Sequence, residues 1–274
     1  IRDQPRSRWL GDVYKRQIWM GRDHFKTLLS RTQTDLKITT HEALRYRTAI
    51  IGTTVGLSLI TLFCYHAGML AWIALLFFTI YFAMSITITR IRAELGPPAH
   101  DLYNAGPDLL LIETFGTHRI NARNLSILSL FFWLNHLSYR AHPMPHQLEA
   151  LKLAHQTRIN QSHIFLIIIL AIMMGAFSAM WGHLHISYKI GLEQARSWYA
   201  RAAFTRLAGW INNPNSTQAS GLLFTTGGFA ISIGLLVLRL RFVQWPLHPV
   251  GYVVSSWWTF TGLWFPILIS WIIK

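Results

Sequence analysis

Four carboxylates stand out by type and spacing. In RIRAELGPPAHDLYNAGPDLL, Glu94, Asp101 and Asp108 recur at intervals of seven, and Glu113 follows on the same stretch. They lie between the end of a hydrophobic run and two Gly-Pro breaks, Gly96-Pro97-Pro98 and Gly106-Pro107. Irregular backbone at membrane depth is tolerated where it lines a cavity, and carboxylates there can couple to protons or cations. These four residues are therefore the candidate substrate or ion path. The competing reading is a solvated loop whose acids pair with Arg90, Arg92, Arg119 and Arg123. Candidate helix breaks or gates are Pro97, Pro98 and Pro107, with His248 and Pro249 in WPLHPVGY, and Pro266, which removes a backbone hydrogen bond inside an apolar helix.

Other chemistries lack their patterns. Thirteen histidines are present, but His142, His146, His155, His183 and His185 belong to no His-Glu-x-x-His helix and have no cysteine partner set, so no metal site is expected. There is no GxSxG elbow, P-loop or helical pair of catalytic carboxylates, so no enzyme and no cofactor is expected. Base-reading motifs are absent too, which argues against a nucleic-acid partner. Cys64 is the single cysteine and excludes an intramolecular disulfide.

The elements that must position the acids are apolar. Thr48–Thr89 is a run of forty-two residues without Asp, Glu, Lys or Arg. A bilayer core about 30 Å thick needs roughly 20 apolar residues per helix, so the run suits two spans, at about 48–65 and 69–89, joined by a turn at Tyr65–Gly68. Further uncharged runs, Ile159–Tyr188, Leu207–Leu238 and Phe242–Ile273, predict spans at 163–181, 221–238 and 251–273. Asn124–Tyr139 holds sixteen uncharged residues, short for a span, and the prolines that follow at Pro143 and Pro145 suit a half-helix or re-entrant element at 124–139. A short polar helix is expected over Gln147–Gln161. Gly191–Ile211 reads as a surface helix or a soluble cap, because Arg196, Arg201 and Arg206 point in three directions.

Charge sets topology more than partners. The chain carries +14, with 25 Lys and Arg against 11 Asp and Glu. Basic residues collect in cytoplasmic loops and beside anionic headgroups, and six of them in residues 18–47 place that flank inside. Counting charges does not decide whether 124–139 crosses, since both arrangements put fifteen Lys and Arg inside and five outside. Residues 1–17, IRDQPRSRWLGDVYKRQ, resemble a translated sequencing adapter and are set aside. Without them the excess is 20 minus 9, or +11.

Three motifs, TRIRAELGPPAHDLYNAGPDLLL, RAHPMPHQLEALKLA and QWPLHPVGYVVSSWWTFTGLWFP, resemble a family of large multi-spanning prokaryotic membrane proteins. It is catalogued as domains of unknown function 6785 followed by 6784. The resemblance runs from about Ala43 to Lys274. It implies the carboxy-terminal portion of a longer chain in a prokaryotic inner membrane, and no residue inherits a role from it. The expected architecture is an all-α, polytopic transmembrane bundle of about five spans in residues 48–274, with the short element at 124–139. The lipid bilayer is its partner, and the expected function is part of a secondary transporter for a small solute or ion. The alternative is a non-transporting membrane scaffold. Nothing in the residues sets the solute or the oligomeric state.

Overall fold

A computed structural model describes Leu44 and residues 46–96, 106–134, 142–191, 198–216, 219–242, 245–254 and 258–273. Among these residues the chain forms helices α1 (Tyr46–Ala67), α2 (Ala71–Leu95), α3 (Pro107–Phe115), α4 (Ala122–Leu130), α5 (Pro143–Gln156), α6 (Gln161–Ile190), α7 (Trp198–Asn212), α8 (Ala219–Arg241), α9 (Pro249–Val254) and α10 (Trp258–Ile273), and no strand. Four are long and apolar enough to cross a membrane, over Arg47–Ala67, Ala71–Ala93, Gln161–Ile190 and Ala219–Arg239, which marks the chain as a membrane protein. The apolar helix at Gly262–Ile273 is shorter. Where one span was expected at 251–273, α9 and α10 are found, and residues 255–257 between them lie outside the described residues.

Why α1 and α2 tolerate so many hydroxyls is visible in their hydrogen bonds. Ser58, Thr61, Thr79, Ser85, Thr87 and Thr89 each donate to the carbonyl one turn earlier, at Thr54, Leu57, Leu75, Tyr81, Ala83 and Ser85. A hydroxyl satisfied within its own helix presents little unpaired polarity to hydrocarbon. The turn between the two helices uses Gly68 at φ 102°, with Gly68 N–H donating to Tyr65 O and Met69 N–H to Cys64 O, both at 2.9 Å. A left-handed residue with these two bonds closes the carbonyl end of α1.

The helices fall into two units, one of residues 51–219 with Leu44 and the other of 46–50 and 220–273 among those described. The larger unit has its core where the first half of α2 meets α3 and α4. Met69, Ile73, Ala74, Phe77 and Phe78 pack there with Leu111, Leu125, Ile127 and Leu128. Phe131, just past α4, stacks on Phe77 at 5.2 Å and meets Phe78 edge-on at 5.6 Å. If lipid surrounds this core, its stability comes from close packing and from buried polar bonds, since lipid tails are as apolar as the side chains.

Two of the expectations above need correction. Pro143 and Pro145 do not break the chain; they sit in the first turn of α5, where the missing N–H groups would have had no intrahelical partner. The short polar helix expected over Gln147–Gln161 is present with shifted bounds: α5 starts at Pro143 and ends at Gln156, and α6 starts at Gln161 after an Asn160 cap that accepts from Ser162 N–H at 3.0 Å. Helix α7 lies against the core by one face: Ser129 Oγ donates to Ala203 O at 2.7 Å, and Leu207 and Trp210 pack there.

In the smaller unit, a Cβ at Gly228 on α8 would meet Tyr252 Oη of α9 at 3.6 Å, so the two helices lie close there. Pro266 stands inside α10.

Two glycines separate conformational need from helix propensity. Gly68→Ala puts a Cβ 2.7 Å from Arg123 Cδ on a backbone at φ 102°, and is expected to cost about 1–3 kcal/mol. Gly52→Ala, with nothing within 4 Å of its Cβ, is expected to gain up to about 1 kcal/mol. Thermal unfolding in detergent reads both, and equal shifts for the two variants would contradict this account of the turn.

Candidate functional site

Helices α3 and α4 are nine residues each, about 14 Å at the helical rise, and neither can cross a bilayer alone. They form a hairpin whose tip is tied down at several points. Gly116 ends α3 at φ 76°, with its N–H donating to Ile112 O at 2.8 Å. At the tip, Thr117 Oγ1 accepts from Asn215 N–H at 2.7 Å, and His118 N–H donates to Asn215 O at 3.3 Å. The buried Asn124 reaches across to the α1–α2 turn, where its Oδ1 accepts from Leu70 N–H at 2.8 Å. Leu70 is the residue that caps α2, and α2 has no side-chain cap of its own. The amide of Asn124 thus satisfies a donor that α2 cannot.

Pro107 opens α3 at its first position, with Gly106 extended before it, and Asp108 stands in the first turn. A negative side chain there is favoured by the helix dipole. Asp108 is 1% exposed, and its Oδ2 lies 3.1 Å from Arg206 Nη2 of α7. The guanidinium of Arg206 stands over two rings, Phe132 at 5.2 Å and Trp210 at 4.9 Å from the centroid. Each ring adds about 0.5–2 kcal/mol to holding a partly desolvated cation. Phe131, the neighbour of Phe132, stacks on Phe77 near the start of α2, so the pair adjoins the aromatic cluster of the core.

The other expected site residues divide clearly. Glu113 is half-buried on α3, about 140° around the helix from Asp108, so it does not join the pair. Glu94 lies in the last turn of α2, where only its backbone is described; Asp101, Pro97 and Pro98 lie outside the described residues. His248 accepts the N–H of Val250 at its Nδ1, at 3.1 Å, and so caps α9, which Pro249 opens. Among the described residues, no three His, Cys, Asp or Glu side chains gather as a metal site.

The sequence did not single out Arg206 as an acid's partner, Asn124 as an anchor, or the contact of Tyr81 with His142. For Arg206 the available signal was Trp210 four positions on, the spacing that lays a guanidinium over a ring on one helix face. Asn124 and the Tyr81–His142 contact, with Oη and Nδ1 3.3 Å apart, join residues fifty-four and sixty-one apart in sequence, and no local pattern announces them.

A family model described as a family of unknown function (DUF6785) matches residues 14–274. It starts upstream of Ala43 and includes Tyr14–Gln17, the last four residues of the stretch set aside as adapter-like. No curated protein and no solved structure matches the chain.

Removing one partner of a buried pair leaves the other charge without compensation, which costs about 3–5 kcal/mol. Asp108→Asn and Arg206→Met are each expected to lower stability on that scale, and the double variant by less than the sum. A double-mutant cycle by thermal unfolding checks this, and strict additivity would show that the two side chains do not interact.

Proposed function

The chain belongs to the DUF6785 family of unknown function, and on the geometry above we propose that it forms part of a secondary transporter for a small solute, in the inner membrane of a prokaryote. The observation that carries this reading is the buried Asp108–Arg206 pair, which joins the beginning of one short helix to the middle of another beside a helix of span length. Charges at membrane depth are costly and are retained where they serve a path or a relay. Discontinuous helices placed beside full spans are a common way to build a binding site in carriers.

The pair has the properties of a breakable lock. Asp108 and Arg206 neutralise each other while no solute is engaged, and the Arg206 side chain keeps 24% of its surface exposed. A solute or ion that competes for either charge replaces one partner of the lock. The ionic hold of α7 on α3 is then released, while Asn124 and Asn215 keep the tip of the hairpin anchored. In this scheme Asp108 and Arg206 are binding residues, Pro107 and Gly106 supply the helix break, and Glu113 is a second acid on the same helix. An open groove of 380 Å³ between α1 and α2, lined by Thr54, Leu57, Ser58, Thr61, Tyr65 and Leu75 among others, carries no acid or base of this kind, so the polar chemistry is assigned to the pair.

A thermal-shift screen of the full-length protein in detergent, against amino acids, peptides, sugars, metal chelates and common ions, tests the reading. A ligand at a hundred times its dissociation constant adds about 2.7 kcal/mol. The expected result is a hit whose shift, measured against each variant's own baseline, is lost in Asp108→Asn and kept in Glu113→Gln. A hit untouched by Asp108→Asn would remove the pair from the path, and silence across the panel would favour a scaffold.

A further inference from the structure

We propose that the imidazole of His142, held against Tyr81 where α5 begins beside the middle of α2, is a proton-binding site, and that the proton is the coupling ion of the path. The first half of this proposal stands on its own geometry; the word coupling rests on the transport reading above.

The site is built. His142 is 6% and Tyr81 7% exposed, with Tyr81 Oη and His142 Nδ1 3.3 Å apart and the two rings edge-on at 88°. Tyr81 lies ten residues into the twenty-five of α2, about 15 Å from its start. His142 caps the first turn of α5, a helix not among those of span length. The position is thus buried at mid-length of a span, yet it belongs to an element that leads away from the middle.

A route to water runs along that element. His146 and Glu149 follow at one and two turns on the same face of α5, with side chains 51% and 49% exposed. His146 Nδ1 is 3.9 Å from Glu149 Oε2, and Glu149 Oε1 accepts from Arg92 Nε at 2.6 Å. A row of groups that exchange protons therefore connects the buried imidazole to an exposed end. From α2, the groups that face this row are Tyr81 and, eleven residues on, Arg92; from α5 itself, His146 and Glu149. Helix α6, packed along α5, brings no titratable side chain between His163 and His183.

Loading the site changes the bond that holds it. With Nε2 carrying the proton of the neutral ring, the Tyr81 hydroxyl donates to Nδ1. A proton taken from water then binds Nδ1, the ring becomes a donor at both nitrogens, and the hydroxyl must turn to another acceptor. Burial, and secondarily the neighbouring His146, lower the proton affinity of His142 below the ordinary histidine range. The ring is therefore neutral at neutral pH and takes up its proton only below the ordinary histidine range. A short segment carries the event to the ion pair: Leu134 packs against Tyr81, and Phe132, two residues earlier, faces Arg206.

The sign of the pH effect follows. With the folded value depressed, the unfolded state binds more protons across the histidine range, so stability is fully present above about pH 6.5 and falls as pH drops below it. The full chain in detergent is unfolded thermally from pH 8 to pH 5, as wild type, His142→Gln, His146→Gln and Tyr81→Phe. Wild type is expected to lose about 2–4 °C more than His142→Gln across this range, with His146→Gln following wild type. An equal loss in wild type and His142→Gln overturns the proton site. Tyr81→Phe, which keeps the imidazole and its burial, is expected to follow wild type. If His142→Gln does not fold, the wild-type imidazole is followed by NMR with ring-labelled histidine, and a His142 resonance that does not move between pH 8 and pH 5 is the overturning result. For coupling, vesicles loaded with a pH-sensitive dye and reconstituted with wild type are expected to take up protons several-fold faster than empty vesicles after an external acid step, and His142→Gln to abolish the excess. A pH slope without proton uptake keeps the site and removes the coupling, whatever solute the ion pair binds.

Discussion

Hydrocarbon offers no partner to a polar group, and the larger unit is organised around that constraint. Helix α2 illustrates it at three levels. Its hydroxyls bond within the helix, and its capping N–H is satisfied by Asn124 from the hairpin. Its far end is tied by the charge-assisted contact of Arg92 with Glu149. Only after these needs are met can the apolar side chains of Phe77, Phe78 and Phe131 settle into a dry core. Packing against lipid alone would not choose between registers of the hairpin; the directed bond from Leu70 to Asn124 does.

The Asp108–Arg206 pair obeys the same rule at higher stakes. A lone carboxylate buried as Asp108 is would have to neutralise or draw in water, whereas a pair flanked by Phe132 and Trp210 spreads its field over two rings and a helix N-terminus. Such a pair adds little net stability over well-packed apolar residues. Its presence therefore calls for a reason other than stability, which is what the proposed transport reading offers.

How much of this was legible depends on the range of each signal. The forty-two-residue uncharged run is a local property, and α1 and α2 follow from it with the turn near its expected place. The hairpin was legible only as irregular backbone, because nine-residue helices offer too few turns for apolar periodicity, and glycine with proline reads the same at a helix start as at a break. Asp108 was picked out by type and neighbours, but its expected partners were the nearby arginines, since sequence distance hides a residue ninety-eight positions on. Arg206 was discounted as one of three arginines pointing in different directions. The structure shows that a scattered pattern is compatible with one of the three pointing inwards while Arg201 stays exposed.

The hairpin's two anchors also decide which parts can move. Asn124 and Asn215 hold its tip through backbone groups of the α1–α2 turn and through Thr117 and His118, and such bonds are insensitive to the charge of anything bound. At its other end the hairpin meets α7 through Asp108–Arg206 and through Ser129–Ala203. One of these contacts is ionic and can be displaced by competing charge; the other is a single neutral hydrogen bond of the kind worth about 0.6 kcal/mol in membrane bundles. The charge-dependent connection therefore sits at the open end, beside the neutral one and the packing of Leu207 and Trp210, while the charge-independent bonds sit at the tip.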